Sequence, residues 1–337
     1  MIELDTTWGF FMQNLETTYM GLKLKNPLIL GSSSLSDNPD GVKKAEDAGF
    51  GAVVLKSIFE EQIVAESNAD IRGAVGFNGR NDYLDAFASV TKERYLDKYL
   101  ELVTKAKKAV DIPVIASVNC TSESGWLEYA RKFQQSGADG IELNYYIMAG
   151  DARVSGAEIE KKYFEVAKKT REIISLPLSI KMSWHFTSIA NAVRQYSDMG
   201  FDGIVMFNHF FRPDIDIEKV SICSNRFIGP KGDYSETLRW TAMMSGEIKA
   251  DICSSTGIRD SETAVKMLLA GAKAVQMTSA VYKEGYSVAS KVLDEISQWM
   301  EKHGYDSISS FNGLLAQEKI ENPERWERSQ YMKVNRF

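Results

Sequence analysis

One phrase recurs along this chain. AGFGAVVLK at 48–56, SGADGIELN at 136–144, MGFDGIVMFN at 199–208 and AGAKAVQMTS at 270–279 share a single grammar. A glycine ends a helix, a short turn follows, and an apolar strand begins. Glycine is the residue that reaches the left-handed backbone closing a helix. The strand after it is continuously apolar rather than alternating, so both of its faces must be buried, as in a parallel sheet. A strand of that kind needs neighbours on both sides. A helix–strand unit repeated around a closed ring satisfies all copies at once, and that ring is the (β/α)8 barrel.

The rest of the chain supplies the remaining strands. The apolar runs predict strands at Leu28–Gly31, Ala52–Lys56, Val114–Val118, Gly140–Asn144, Leu178–Met182, Gly203–Phe207, Asp251–Ser255 and Ala274–Thr278, with helical spacing after each. Helices are expected from Pro39 to about Ala48, from about Tyr83 to Val110, over Gly125–Gln135, over Ser188–Met199, over about Glu236–Glu247 and over Ser261–Ala270. Ser155 and Glu158 have capping-box spacing and start another that runs to about Ile174. A final long helix is expected to reach His303. Tyr19–Lys25 reads as a hairpin around Gly21, placed before the first barrel strand. Two stretches lack periodicity, 57–82 and 208–235. Segments of that length in a compact domain are typically site loops or lids. The tail 304–337 reads as short outer helices. The expected architecture is therefore α/β, a single (β/α)8 TIM barrel domain over 1–337, with its core at about 26–303, an N-terminal β-hairpin and a C-terminal helical tail. An open doubly wound sheet would carry a glycine-rich fingerprint after its first strand, and GSSSLS at 31–36 is not one.

Composition narrows the function. A net charge of -6 and a pI near 5.4 give no field for nucleic acid. No apolar run reaches the roughly 18 residues of a membrane span. The acidic N-terminal stretch MIELDTTWGFFMQNLETTYMG is not expected to act as a secretory signal. Cys120, Cys223 and Cys253 fit neither a zinc knuckle nor a disulfide framework, which agrees with a reducing cytoplasm.

In a barrel the chemistry sits at the C-terminal ends of the strands. Those ends carry Ser32 and Ser33, then Lys56 and Ser57, Asn119 and Cys120, Asn144 and Tyr145. Strand five brings Lys181, Ser183 and His185, and strand six Asn208 and His209. A lysine ending a buried strand is costly unless an anionic or electron-rich group receives it, and here there are two. The loops after strands seven and eight, Ser254-Ser255-Thr256-Gly257 and Thr278-Ser279, occupy the usual phosphate position of this fold. Backbone N–H groups, hydroxyls and the start of the helix at Ser261 would hold a dianion there. His185 and His209 end neighbouring strands but have no obvious third ligand, so no metal is expected. His303 reads as surface, and Trp126, Trp240 and Trp299 read as packing between barrel and helices.

Taken together, TYMGLKLKNPLILGSS (18–33), AVVLKS (52–57), GADGIELN (137–144), LSIKMS (178–183), VMFN (205–208), STGIRDSETAVKMLLAGAKAVQMTSAV (255–281) and GYDSISSFNG (304–313) resemble the class 1 dihydroorotate dehydrogenases. The likeness is greatest to the branch described only as dihydroorotate dehydrogenase-like. It implies an FMN-dependent barrel that oxidises dihydroorotate to orotate in pyrimidine biosynthesis, cytoplasmic and homodimeric. It also implies that Lys56 and Lys181 contact the flavin, with Lys181 at the N1/O2 edge, where positive charge stabilises the reduced ring. Ser32 and Ser57 would line the flavin, and Thr256, Gly257, Thr278 and Ser279 would lie at its phosphate. Asn144 and Asn208 would hold an orotate-like ring, with Asn208 also over the flavin face and Lys56 reaching the substrate as a catalytic residue.

The chain departs from the family where the family keeps its base. The usual pattern after strand four is Glu-Leu-Asn, one residue, then Ser-Cys-Pro-Asn, and the cysteine removes the proton. Here Ile147 stands at the cysteine position and Ala149 at the following asparagine. Tyr146, Cys120, His185 and His209 remain candidates for the base by location. A double glycine in the seventh loop is Thr256-Gly257 here, and the serine after the strand-six asparagine is His209. The substrate loop corresponds to Gly73–Asn81, where Asn78 or Asn81 would serve. Three functions stay open within the resemblance: dihydroorotate oxidation, oxidoreduction of another small dihydro-acid or pyrimidine, and a non-catalytic flavin or ligand barrel. A phosphosugar or metal-dependent barrel enzyme is the alternative outside it. No dinucleotide fingerprint or iron–sulfur spacing is present, so any nicotinamide or iron–sulfur carrier would sit on a separate electron-acceptor protein.

Overall fold

The four glycine-ended units fold as their grammar demands. Gly49, Gly137, Gly200 and Gly271 all have positive φ, between +86° and +107°. In three of the units the next amide bonds back into the finished helix: Phe50 to Ala45, Phe201 to Tyr196 and Ala272 to Met267. In all four, the chain then joins the barrel ladder one or two residues later. Gly51, Asp139, Asp202 and Lys273 donate to Leu28, Val114, Leu178 and Ile252 of the preceding strand. Each unit therefore ends a helix and enters the barrel ladder within a few residues.

The computed structural model describes residues 13–59, 81–119, 129, 131–208, 213–224 and 233–328. Cys120, Trp126, Asn78, His209, most of the first aperiodic stretch and part of the second lie outside these residues; of the expected helix Gly125–Gln135, residues 129 and 131–135 are described and are helical. An antiparallel hairpin, β1 (Thr17–Tyr19) and β2 (Leu22–Leu24), precedes the barrel. The chain continues through β3 (Leu28–Leu30), β4 (Ala52–Val54), β5 (Ile58–Phe59), β6 (Val114–Asn119), β7 (Gly140–Leu143), β8 (Leu178–Met182), β9 (Gly203–Met206), β10 (Pro213–Asp216), β11 (Ser221–Ser224), β12 (Asp251–Ser254) and β13 (Ala274–Met277). Eight of these close a parallel ring in the order β3-β4-β6-β7-β8-β9-β12-β13, with β13 pairing β3 and β4 pairing β6. The protein is a (β/α)8 barrel with an N-terminal β-hairpin.

That hairpin closes the N-terminal end of the barrel. Tyr19 and Met20 are buried against Ile29, Val54, Ile115, Val205 and Cys253. A Cβ on Gly203 would lie 2.7 Å from both Tyr19 and Met20, so the strand must start with glycine for the plug to seat. The other end is left open.

Three sequence expectations are corrected. The stretch 208–235 is not wholly irregular, because β10 and β11 form an antiparallel hairpin within it. Ile215 and Ile217 alternate with acids but stand exposed, 67% and 79% accessible, as does Ile222 at 84%, so no core burial marked them. A short strand, β5, continues onto β6 beyond the main ladder. The last helix is two helices, Ser279–Glu284 and Val288–His303, because Gly285 turns to a φ of +82° between them. The tail is helical, as expected, at Ile308–Phe311 and Glu324–Glu327.

Candidate active site

At the open mouth lies a cavity of about 560 Å³, a volume typical of small-ligand and cofactor sites. Most of the candidates named from the sequence and described here line it, whereas His185, Tyr145 and Ser183 do not. Ser32, Lys56 and Ser57 come from the first two barrel strands, Asn144, Tyr146, Lys181 and Asn208 from the middle three, and Thr256, Gly257, Thr278 and Ser279 from the last two. Cys120 lies outside the described residues. Asn119, which ends β6, is also on the wall.

The floor is a chain of polar side chains rising from inside the barrel. Lys181 is 7% exposed, and its Nζ donates to Oε1 of Gln276 at 2.9 Å. The same amide donates through Nε2 to Oε2 of Glu142 at 2.6 Å. An ammonium only donates and a carboxylate only accepts, so this pairing fixes which way the glutamine faces. Burial pushes the Glu142 carboxyl above the usual range, against the opposing pull of Lys181 and the Gln276 bond. Beside this chain runs a line of hydroxyls. Ser32 meets Ser57 at 3.0 Å, and Ser57 meets the buried Ser117 at 2.7 Å. Tyr99 clamps Ser117 from behind, accepting from its N–H and donating to its carbonyl. Lys56 is half-buried and has no ion pair among the described residues. The floor thus presents two ammonium groups and several hydroxyls to whatever binds.

Two carboxamides form one wall. Nδ2 of Asn208 donates to Oδ1 of Asn144 at 2.7 Å. Their backbones continue the barrel ladder one and two residues past the strands, Asn144 to Val118 and Asn208 to Met182. The pair is therefore held by the barrel, and the amide group of Asn144 and the carbonyl of Asn208 remain for a ligand.

The loop after Asn144 turns away. Tyr145 is buried with its ring edge-on to Tyr163, at 4.7 Å between centroids. The Ile147 N–H donates to the Tyr163 hydroxyl at 2.7 Å, and the Ile147 side chain packs against the core. Burial pushes the Tyr163 hydroxyl up to about 12. Tyr146 is the residue of this loop that reaches the cavity, with its ring 6.2 Å from that of His185. Trp184 donates to Nε2 of His185 at 3.2 Å. His185 is exposed at the rim, and among the described residues no cluster of side chains could hold a metal.

The far end is the Thr256-Gly257 turn. Both residues have left-handed backbone, φ +74° and +78°. That conformation is unusual for a β-branched residue, and a hydrogen bond from Oγ1 of Thr256 to the Phe207 carbonyl at 2.8 Å holds it. A Cβ on Gly257 would lie 2.6 Å from the backbone nitrogen of Tyr234. The helix expected to present its N-terminus to an anion does not do so. The Asp260 carboxylate caps Ser261–Leu269, accepting from the Thr263 amide in a capping box, so that end is already satisfied by a negative group. The start of Ser279–Glu284, where Thr278 makes no side-chain cap bond, faces the cavity instead.

Sequence reasoning missed Gln276, Glu142, Ser117 and Arg259. The first three are polar residues inside otherwise apolar strands, and that misfit is the signal that could have found them. Arg259 follows the phosphate-position turn and lines the cavity beside it.

The fold is a (β/α)8 barrel with a cavity at the C-terminal mouth whose floor carries two lysines. The family model described as dihydroorotate dehydrogenase matches residues 14–300, and the chain belongs to that family of oxidoreductases. Among its relatives is the dihydroorotate dehydrogenase B (NAD(+)) catalytic subunit of Pyrococcus abyssi, 28% identical over 89% of this chain and 98% of the relative. The protein of the same name from Methanocaldococcus jannaschii is 29% identical over 86% and 94%. The NAD-dependent dihydropyrimidine dehydrogenase subunit PreA of Escherichia coli is 26% identical over 96% and 82%.

Proposed function

We propose that this protein binds FMN in the mouth cavity and oxidises or reduces a small, planar dihydro-acid or cyclic amide held against Asn144 and Asn208. The observation that carries this reading is the convergence on one cavity of a cationic floor, a carboxamide wall and a left-handed Thr256-Gly257 cradle. Lys181, Lys56, Ser32 and Ser57 would hold the ring of the cofactor. Thr256, Gly257, Thr278, Ser279 and Arg259 would hold its phosphate. Bound there, FMN supplies two-electron acceptor chemistry at a carbon–carbon bond. The chain's own part is to place positive charge under the ring, to fix the substrate's carbonyl or carboxylate groups and to manage one proton.

Dihydroorotate oxidation, as in the relatives' names, is the first substrate reading. A different dihydro compound is the second, favoured by Ile147. That residue stands where the family keeps its cysteine, cannot take a proton, and packs into the core. Tyr146 is the titratable group that this loop offers to the cavity, and we assign the proton step to it. Relatives named as catalytic subunits suggest that electrons leave through a separate carrier protein. A homodimer in the cytoplasm completes the proposal.

An anaerobic titration tests it. The FMN-loaded protein should show flavin absorbance that bleaches on addition of dihydroorotate, or of dihydrouracil and related dihydro compounds. Tyr146→Phe should keep the flavin and slow bleaching about 100-fold, within the range of general acid–base catalysis. Bleaching only by dithionite across the whole panel would make the protein a non-catalytic flavin carrier.

A further inference from the structure

The carboxyl of Glu142 has no task in the function proposed above. It lies within the barrel, 1% exposed, on the strand that ends in Asn144. One of its oxygens accepts from Gln276, and the other has no hydrogen-bond partner among the described residues. A carboxyl placed so deep is unfavourable unless it is paired. Its surroundings offer little relief. The titratable groups that face it are Tyr19 of the plug, Tyr99 from the helix Asn81–Ala109, Cys253 of β12 and Lys181 of β8. Lys181 is the one cation among them, and it is reached through the Gln276 amide.

We infer that Glu142, acting through Gln276, is a positioning residue for Lys181. It aims the ammonium at the cavity floor and offsets part of its charge, and so sets how strongly the floor favours a reduced over an oxidised flavin. The argument is geometric. An amide whose oxygen accepts from a cation and whose N–H donates to an anion is polarised in one sense along its length. Turning the amide over would set its NH2 against the ammonium and its oxygen against the carboxylate. The relay therefore locks the Lys181 side chain, which by itself is a flexible four-carbon stem. Its electrostatic effect follows from sign. A reduced flavin is richer in electrons than an oxidised one, so positive charge beneath it favours reduction and a buried negative charge below weakens that preference. Glu142 acts as the counterweight.

The inference rests on the flavin reading, and its test separates the two. FMN-loaded wild type and Glu142→Gln are equilibrated with a reference dye under slow anaerobic reduction. The isosteric variant keeps a hydrogen-bonding group but removes the charge. At a fixed dye poise its ratio of reduced to oxidised flavin should rise about tenfold, about 30 mV for a two-electron couple. An unchanged or lowered ratio overturns the inference. A double-mutant cycle with Lys181→Met, read by thermal melts of the flavin-free proteins, tests the link itself. Glu142→Gln should raise the melting temperature more when Lys181 is absent than when it is present, because the carboxylate then has no cation to offset. Additive shifts overturn the link. If wild type takes up no FMN, the proposed function fails, while the melts still decide whether Glu142 and Lys181 are coupled.

Discussion

The floor of the cavity and the wall after β7 rise from the same closed ladder, yet they solve different problems. The floor is polar from within the barrel outwards, with Glu142, Gln276 and Lys181 in series and Ser117, Ser57 and Ser32 beside them. Its members bond to one another across strands far apart in sequence. The wall is polar for only one residue per strand. After Asn144 the chain turns to aromatic packing, with Tyr145 on Tyr163 and Ile147 tied to the Tyr163 hydroxyl. On the proposed function, the cofactor groups are bonded to one another inside the barrel, whereas the loop that would carry the base begins only after Asn144 and packs separately on Tyr163.

The largest effect should come from the floor. Lys181→Ala removes a buried cation and leaves Glu142 and Gln276 without it. Truncating one member of a buried charged network typically costs about 2–5 kcal/mol. FMN affinity should therefore fall at least about 30-fold in a fluorescence titration, and an affinity within a few-fold of wild type would remove Lys181 from the cofactor site. On the wall, Asn144→Ala should separate the two regions. The loss of a buried polar partner, about 1–3 kcal/mol, should weaken substrate about tenfold or more in bleaching assays, with FMN affinity within about threefold. Parallel loss of both would mean that wall and floor are one unit.

Ile147→Cys asks whether identity or direction matters in the rebuilt loop. The side chain packs against the core and not on the cavity. Restoring the thiol alone should change the rate of bleaching by dihydroorotate less than about twofold. A tenfold gain would show that the loop swings to present that position. The smallest effects belong to the turn at Thr256. Thr256→Val keeps the branched side chain at a φ of +74° but loses its bond to Phe207, and should cost about 1 kcal/mol of stability in urea unfolding. Thr256→Gly loses the same bond but relieves the backbone, and should fall within about 1 kcal/mol of wild type.

Much of the fold could be read from the sequence because the repeat states it. A glycine that ends a helix, followed by an apolar strand, leaves little choice of neighbour, and the eight strands lie within a residue or two of where those runs place them. The strand-end residues could be read for the same reason, since a barrel directs them all to one mouth. What the sequence hid depends on partners distant along the chain. Gln276 and Glu142 are 134 residues apart and meet only across the closed ring. Asp260 caps the helix that seemed ready for an anion, which becomes clear only once its bond to Thr263 is seen. The β10–β11 hairpin buries nothing on its isoleucine face, so hydrophobic patterning gave no core to attach it to.

The central claim is that the mouth cavity is an FMN site, and equilibrium binding tests it most directly. Apo-protein titrated with FMN, followed by quenching of flavin fluorescence and with riboflavin as the comparison ligand, should bind one FMN per chain. It should bind FMN at least about tenfold more tightly than riboflavin, because the Thr256-Gly257 and Thr278-Ser279 turns receive the phosphate. Failure to bind FMN, or equal affinity for both flavins, would contradict the account.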